Sequence, residues 1–508
     1  MDCYGRRTIY VAGEINEETI VEKLNRAYGI HCLNKEEIEY LSDYARGKQP
    51  VLYRTKNRNE DINNKVCENH AKEIIDFKDG YFLPKPATYV ARHDEAIKKV
   101  KELNDFIKAS GKNKIDNKVV HDFHKCGVGY IYVEVTDVDN DEVPFECYRL
   151  DPRNAFVCYS LGYGNKPVMG VSIVEDDNKI YADVFTKDKK YTLVGKLVNS
   201  PTDDARLDAT FHTIESVETN QIGAIPIIEY NYDTEKLGAF EPAIPLLDAI
   251  NEVQSDRVDG IDQFIQNLIV ATNVDFDDGV TAQDIKQSGM VCLKSSSDCQ
   301  ATIQVISEEL DQQQTQELID SLYKQALNIC AMPVVGDAGG STSDTASAVL
   351  YRNGWQNADA SARNTEDLFR ESNAYFDDVA LAILKAKKKF KIKRSDYDLA
   401  FCRTESSGIQ TKAQALYTLL SAGLAPELAF EKSGISSDPT NDVEISKEYL
   451  EARWKPQDNA EQATGQQPEA ELKFSQDKGK DPTKVDMKDS KAEGRTEQLK
   501  TDTEKNKA

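Results

Sequence analysis

Between residues 344 and 387 the apolar side chains keep a helical period almost without interruption, and Ala362, Thr365, Phe369, Phe376, Val379 and Ile383 fall on one face. A helix of that length spans on the order of 60 Å, more than the interior of an ordinary domain needs. Gly354 lies inside the run and invites a kink. At its far end stand Lys385, Lys387, Lys388, Lys389, Lys391, Lys393 and Arg394. These cations either complement the helix dipole and serve solubility, or form a patch that faces phosphates.

A second helical run, 243–272, carries Leu247, Ile250, Val258, Ile261, Ile265 and Leu268 at three- and four-residue steps. It would span about 45 Å. Residues 274–306 lean toward strand, and a helix over 312–331 completes a hairpin with a small module at its tip. That helix stops at Met332-Pro333, after which residues 334–343 have the glycine, serine and aspartate content of a mobile loop. Upstream, helices are expected over 17–28, 35–46 with Asn34 as N-cap, 63–77, 94–109 and 117–125. The period changes at Gly127, and strands are expected over 128–135, 143–150, 155–160, 168–174, 179–185, 191–198 and 225–230, forming an antiparallel meander or sandwich. A strand at 396–403 and three short helices, 411–422, 426–432 and 440–454, close the folded part. The fold class is α+β.

A chain of 508 residues exceeds one hydrophobic core, so two to four domains or layers are expected. No stretch reaches the roughly 18 uninterrupted apolar residues of a membrane helix, and no apolar run follows the N-terminus as in a secretory signal. Residence in a cytoplasm, with no membrane partner, is the expectation. Ten cysteines without a CxxC pair predict reduced, mostly buried thiols. Residues 456–508 hold one aromatic, Phe474, with 12 acids and 10 bases, and read as a disordered tail. Of the formal charge of −24, the tail carries 12 acids against 10 bases, so −22 belongs to the folded body, where it argues against a broad grip on nucleic acid.

Candidate chemistry is sparse. His121 and His124, at i and i+3 with Cys126 near, form the best metal-like cluster, but no HExxH and no paired cysteines supply further ligands. Polar helix histidines are the plainer reading. Residues 137–148 begin like a calcium loop, yet the sixth position is Glu142 and the twelfth Tyr148, which leaves a hairpin turn at 139–141. Neither Gly127-Val128-Gly129 nor Gly162-Tyr163-Gly164 sits between a strand and a helix as a phosphate loop must. With no complete catalytic constellation, neither an active site nor a cofactor is expected.

Four stretches carry a resemblance. They are Phe77-Lys78-Asp79-Gly80-Tyr81-Phe82-Leu83-Pro84-Lys85-Pro86; residues 127–159, with GVGYIYVEV and YRLDPRNAFVCYS; residues 222–273, with IGAIPIIEYNYDTEKLGAFEPAIPLLDAINEVQSDRVDGIDQF; and residues 339–376, where a Gly/Ser-rich loop enters the long helix. Together they resemble the portal, or head-to-tail connector, proteins of tailed double-stranded DNA bacteriophages, in the branch common in phages of Gram-positive bacteria. The order fits over residues 15–455. One departure is Ser343-Asp344-Thr345-Ala346, where this family often shows Ser-Gly-x-Ala, so the loop boundary is the weak point of the match.

The resemblance implies a portal-like α+β architecture. Residues 1–242 would form a wing, a helical layer followed by antiparallel strands; 243–331 the stem helices, with a small α/β clip at 274–306; 332–343 the channel loop. Residues 344–407 would supply a long kinked wing helix and strand, 408–455 a helical crown, and 456–508 the tail. Val335, Gly336, Asp337, Ala338, Gly339, Gly340, Ser341 and Thr342 would be the DNA channel loop, while Lys385, Lys387, Lys388, Lys389 and Lys391 remain a candidate phosphate-facing patch from the charge pattern alone, beside the helix-dipole reading. Implied partners are further copies of the chain in a cyclic ring, typically of twelve, double-stranded DNA in transit, the terminase large subunit, the scaffolding and major capsid proteins, and a head-completion adaptor. The implied place is the portal vertex of the virion, reached from the host cytoplasm. The rival reading is a metal-dependent hydrolase or nuclease built on the His121/His124 region.

Overall fold

A computed structural model of the chain describes residues 5–56, 61–136, 143–176, 179–197, 209–265, 268–272, 302–306, 312–334, 354–401, 409–436, 442–447 and 449. Residues 1–448 group as one compact unit. The expected tail, the hairpin turn at 139–141 and most of the expected clip lie outside the described residues.

After a short strand β1 (Ile9–Val11), helix α1 (Ile20–Ala45) runs without a break where two helices were expected. Asn34 is not a cap. It is buried, and its amide brackets the backbone of Arg7, accepting from the Arg7 N–H and donating to the Arg7 carbonyl, both at 2.9 Å. A residue type that favours caps can sit mid-helix when its polar atoms are consumed elsewhere. The apolar residues of α1 serve two cores. Ile20, Leu24, Ala27, Tyr28 and Cys32 pack on a large sheet, and Ile38, Leu41 and Ala45 pack on the helices and strands described next.

Helix α2 (His70–Phe82) starts seven residues later than expected, because Asn69 caps it by accepting from the Lys72 N–H. Strand β2 (Thr88–Ala91), helix α3 (Ile97–Ala109) and helix α4 (Lys112–Cys126) follow. Gly127 ends α4 at φ +85°, and a Cβ there would stand 1.9 Å from the Lys236 carbonyl oxygen, so only glycine fits.

The strands that follow do not form one meander. β3 (Val128–Val135) and β4 (Phe145–Leu150) join the later β10 (Ile227–Asn231) in a sheet of order β10-β3-β4. β5 (Ala155–Ser160), β6 (Pro167–Asp176), β7 (Lys179–Phe185), β8 (Lys189–Leu197) and β9 (Ala209–Thr219) form a separate antiparallel meander, extended by β1 parallel to β5. The split follows burial: Ile131, Val133, Phe145 and Ile228 belong to a core shared with α3, α4 and a long later helix, whereas Phe156, Val171, Ala182 and Leu193 pack on α1. Strand β9 has no sequence forecast. Its backbone at Phe211 is met by the Asn25 amide of α1, which accepts from the N–H at 2.9 Å and donates to the carbonyl at 2.8 Å.

The acidic turn of the third quoted stretch is a buried polar network. Glu229 accepts from Lys236 Nζ (2.6 Å), Tyr130 Oη (2.9 Å) and Tyr159 Oη (3.1 Å). Glu241 accepts from Arg6 (2.6 Å) and the Gly238 N–H (2.7 Å). Buried charges persist where partners satisfy them.

Helix α5 (Ile244–Ile265) ends earlier than expected, and the Leu-Ile-Val-Ala-Thr run becomes strand β11 (Leu268–Thr272), paired antiparallel with β12 (Thr302–Ile306). Of its forecast apolar face, Leu247 and Ile250 are buried, Val258 is half-buried, and the side chains of Ile265 and Leu268 lie outside the described residues. Ile261 is 45% exposed, while Asn251, Ser255 and Asp259 are buried at four-residue steps. An extended segment lies along these three: the N–H of Glu68 donates to Asn251 (2.7 Å), that of Val66 to Ser255 (3.0 Å) and that of Asn64 to Asp259 (2.6 Å). Arg54 (2.9 Å) and Lys56 balance the Asp259 carboxylate.

Helix α6 (Gln312–Ile329) packs on α5 through Ile319, Ala326 and Leu327. Helix α7 (Trp355–Lys388) is the long helix, with Ala362, Thr365, Phe369, Phe376, Val379 and Ile383 all buried as the spacing predicts. The stretch 344–353, which the forecast placed in the same helix ahead of a kink at Gly354, lies outside the described residues. At φ +75° Gly354 is the residue from which the described helix starts. Strand β13 (Tyr397–Ala400) pairs with β2, and helices α8 (Ile409–Ser421) and α9 (Pro426–Ser433) follow as expected, with 442–447 also helical. No described helix is long and apolar enough to cross a membrane.

Candidate functional site

The residues on the buried side of α2 recur as Ala71, Ile74, Ile75, Lys78 and Phe82. Helical periodicity thus drives a lysine into an apolar seam. There its ammonium reaches the ends of two other helices, 3.5 Å from the Ala331 carbonyl oxygen just past α6 and 3.3 Å from Ser361 Oγ in the first turns of α7. Burial pulls the Lys78 ammonium down to about 8.

The chain leaves α6 and enters α7 at one place. Ala331 adopts φ +49°, turning the backbone off the helix axis. Gly354 returns beside it: a Cβ at Gly354 would lie 3.8 Å from the Met332 carbonyl oxygen and 4.0 Å from the Val334 nitrogen. Trp355, the first residue of α7, packs against Phe77 and Tyr81 of α2, with ring centroids 6.1 and 5.9 Å apart. A cleft of about 300 Å³ opens next to this root, lined by Tyr232, Asp233, Ile329, Ala331, Ser361 and Asn364. The expected channel-loop residues Val335, Gly336, Asp337, Ala338, Gly339, Gly340, Ser341 and Thr342 lie outside the described residues, which stop at Val334 and resume at Gly354.

Asp79, next to Lys78, faces α4. Its two oxygens receive Nδ1 of His121 and Nδ1 of His124, each at 2.7 Å. Burial opposes ionisation of this carboxyl, but the two imidazole hydrogen bonds outweigh it and hold Asp79 below the usual carboxylate range. Burial also pulls buried His124 below the usual imidazole value, against the bond from Asp79, with the Lys78 charge adding to the depression. The histidine pair singled out in the sequence is therefore brought together by one carboxylate that clasps α2 to α4. Among the described residues no group of three His, Cys, Asp or Glu is placed to hold a metal ion. The described cysteines are free thiols: Cys32, Cys126, Cys147, Cys158 and Cys330 are buried, and Cys67 is half-buried.

Sequence reasoning quoted Lys78 and Asp79 as part of a family motif without giving them a task. The signal was present, since Lys78 occupies an apolar step of α2 and charge on a buried helix face requires a partner. The lysine block stands apart from the root. Lys385, Lys387, Lys388, Lys389 and Lys391 are all exposed at the opposite end of α7.

No curated protein matches the chain. Among solved structures it is similar to a chain in the neck of an empty GTA particle, computed with C6 symmetry, at 12% identity and a TM-score of 0.42, covering 72% of this chain and 90% of that one. A family model described as phage portal protein, SPP1 Gp6-like, matches residues 26–451. This span contains α2 with its Lys78 and Asp79, both helix ends at the root and all of α7, and by that match the chain belongs to the SPP1 Gp6-like family of phage portal proteins.

Proposed function

We propose that copies of this chain close into a ring at one vertex of a phage capsid, and that double-stranded DNA passes through the ring during packaging and ejection. The match to the portal family over residues 26–451 carries the reading. Within it, residues 1–242 are the wing, α5 and α6 the stem, 274–306 the clip, 335–342 the channel loop, 344–407 the long wing helix with its strand, and 408–455 the crown. The clip receives the terminase large subunit, whose ATP hydrolysis drives the DNA. The scaffolding protein, major capsid protein and head-completion adaptor meet the ring elsewhere in the virion.

Two physical observations support a conduit. A formal charge of −24 suits a channel wall, because each phosphate neutralised adds affinity and drag. The chain is held at Val334 and again at Gly354 and Trp355, close to Lys78, while glycines at 336, 339 and 340 lower the cost of backbone rearrangement in the stretch between. Negative-stain images of the purified protein test the reading: closed rings are expected, typically of twelve copies, and a species that stays monomeric or dimeric at high concentration overturns it. In phage, Gly339→Pro with Gly340→Pro should leave rings intact and reduce packaged or retained DNA.

A further inference from the structure

Two lysine-rich segments far apart in sequence meet at the end of α7. From Lys385 to Arg394 there are seven bases, and no acid occurs between Asp378 and Asp396. In a chain with 87 acids that gap is conspicuous. Helix α7 is capped by Lys389, which adopts φ +56° and turns the chain so that Phe390 is buried at 8% exposure. Phe390 meets Phe106 of α3 edge to face, with centroids 5.5 Å apart. Helix α3 buries Val100, Leu103 and Ile107 and exposes Lys98, Lys99, Lys101 and Lys108, with the acids Glu102 and Asp105 on the helix and exposed Asp94 and Glu95 in the turn that leads into it. Lys108 stands two residues from Phe106, and Lys389 and Lys391 flank Phe390, so the aromatic contact joins the two sets of cations.

We propose that this joined surface, Lys98, Lys99, Lys101 and Lys108 of α3 with the 385–394 segment, binds the phosphate backbone of double-stranded DNA without reading its sequence. Composition selects the partner. Protein–protein interfaces need a buried apolar or aromatic anchor and are poor in lysine. None of the large, exposed hydrophobic side chains of the described residues lies within 92–109 or 385–398. Single-stranded nucleic acid would call for exposed aromatic rings on which bases stack, and the patch offers none. Backbone phosphates of a duplex require only cations, and Lys385, Lys389 and Lys391 form no ion pair with the described acids. Opposing charges border the patch: exposed Asp94 and Glu95 before α3, Glu102 and Asp105 within it, Asp396 accepting from the Lys393 N–H at 3.1 Å, Asp378 at 3.9 Å from Arg394, and Asp398 paired with Arg92 at 3.0 Å.

The portal reading supplies the reason duplex DNA is at hand, and the inference rests on it to that extent. It places DNA on a defined basic platform of an otherwise acidic body, apart from the loop root. The test uses full-length protein and a random-sequence duplex of about 40 base pairs, followed by fluorescence anisotropy as salt rises. Binding should fall by about 10- to 100-fold between about 50 and about 200 mM salt, as release of a few counterions requires. A variant with Lys385, Lys387, Lys388, Lys389 and Lys391 changed to Gln, and a second with Lys98, Lys99, Lys101 and Lys108 changed to Gln, should each weaken binding at least about 10-fold and flatten the salt slope. The same positions changed to Arg should retain both. Sedimentation of each variant as the wild-type species controls for folding. Unchanged affinity in both Gln variants overturns the proposal, as does poly-glutamate displacing the duplex at equal charge concentration, which would assign the surface to an acidic protein. If the wild type forms no ring yet the Gln variants lose DNA, the portal reading fails and the surface stands.

Discussion

Helices α5 and α7 are both long, both lie in the body, and bury opposite chemistries. α7 buries Ala362, Phe369, Phe376, Val379 and Ile383 against strands and helices. α5 begins the same way with Leu247 and Ile250, then buries Asn251, Ser255 and Asp259. The reason lies in what each covers. Sheets and helices present apolar side chains, their backbone groups already paired. The extended segment 64–68 presents unpaired N–H groups, so the helix must supply acceptors. Alternate residues of an extended chain advance about 6.8 Å and one four-residue step of a helix about 6 Å, which is why Asn64, Val66 and Glu68 stay in step with Asp259, Ser255 and Asn251. A buried helix face can thus be polar by rule when its neighbour is a lone strand.

The contrast can be broken by mutation, beginning with the largest effect. Phe376→Ala should cost about 3–5 kcal/mol in urea unfolding, since the ring is fully buried against Phe145 and under the Lys112 ammonium. A loss below about 1 kcal/mol would show that the apolar seam of α7 is not what holds it. Asp259→Ala on α5 should cost about 2–3 kcal/mol, because Asn64 loses its acceptor and Arg54 and Lys56 lose a shared counterion. Amide exchange at 64–68 should accelerate in that variant, and not in Phe376→Ala at matched stability.

A pH comparison sharpens the picture, because α7 has its own polar exception. Asp377 is buried with Tyr89 (2.5 Å), Tyr397 (3.2 Å) and Asn373 (3.2 Å), and burial raises its carboxyl to about 6 despite these bonds. The folded state therefore holds a proton that the unfolded chain releases near about pH 3.9. This contribution is fully present below about pH 4 and is lost as pH rises through 6. Relative to Asp377→Asn, the wild type should lose on the order of 2 kcal/mol between about pH 4 and about pH 7, read from paired denaturation curves. The smallest effect is expected from Ser255→Ala, about 1 kcal/mol, as one N–H of Val66 loses its partner.

The same two helices mark how far the sequence could be read. The face of α7 was legible because six residues at helical spacing meet an apolar surface, and periodicity needs no knowledge of the partner. The lower half of α5 was not, because Asn251, Ser255 and Asp259 look solvent-facing until segment 64–68 is laid over them. Strands 128–135, 155–160 and 179–185 were found to the residue. Their division between two sheets depends on which core each face enters, which alternation alone does not encode. At the loop root, Lys78 and Asp79 were visible only as letters of a motif. Their partners, Ala331, Ser361, His121 and His124, lie 42 or more residues away, and one-dimensional spacing carries no trace of them.

The meeting of Val334 and Gly354 also bears on how such a chain can change over generations. Because the exit and the re-entry coincide, the body is indifferent to how much polypeptide is spliced between them. Doubling the length of the intervening stretch adds only about 0.6 kcal/mol of closure entropy, less than a single lost hydrogen bond in the helices that frame it. Insertions, deletions and wholesale exchange are thereby confined to one port whose surroundings need no compensating substitutions. Selection can vary the sequence between these two residues as a replaceable cassette, while the body on either side keeps its inherited packing.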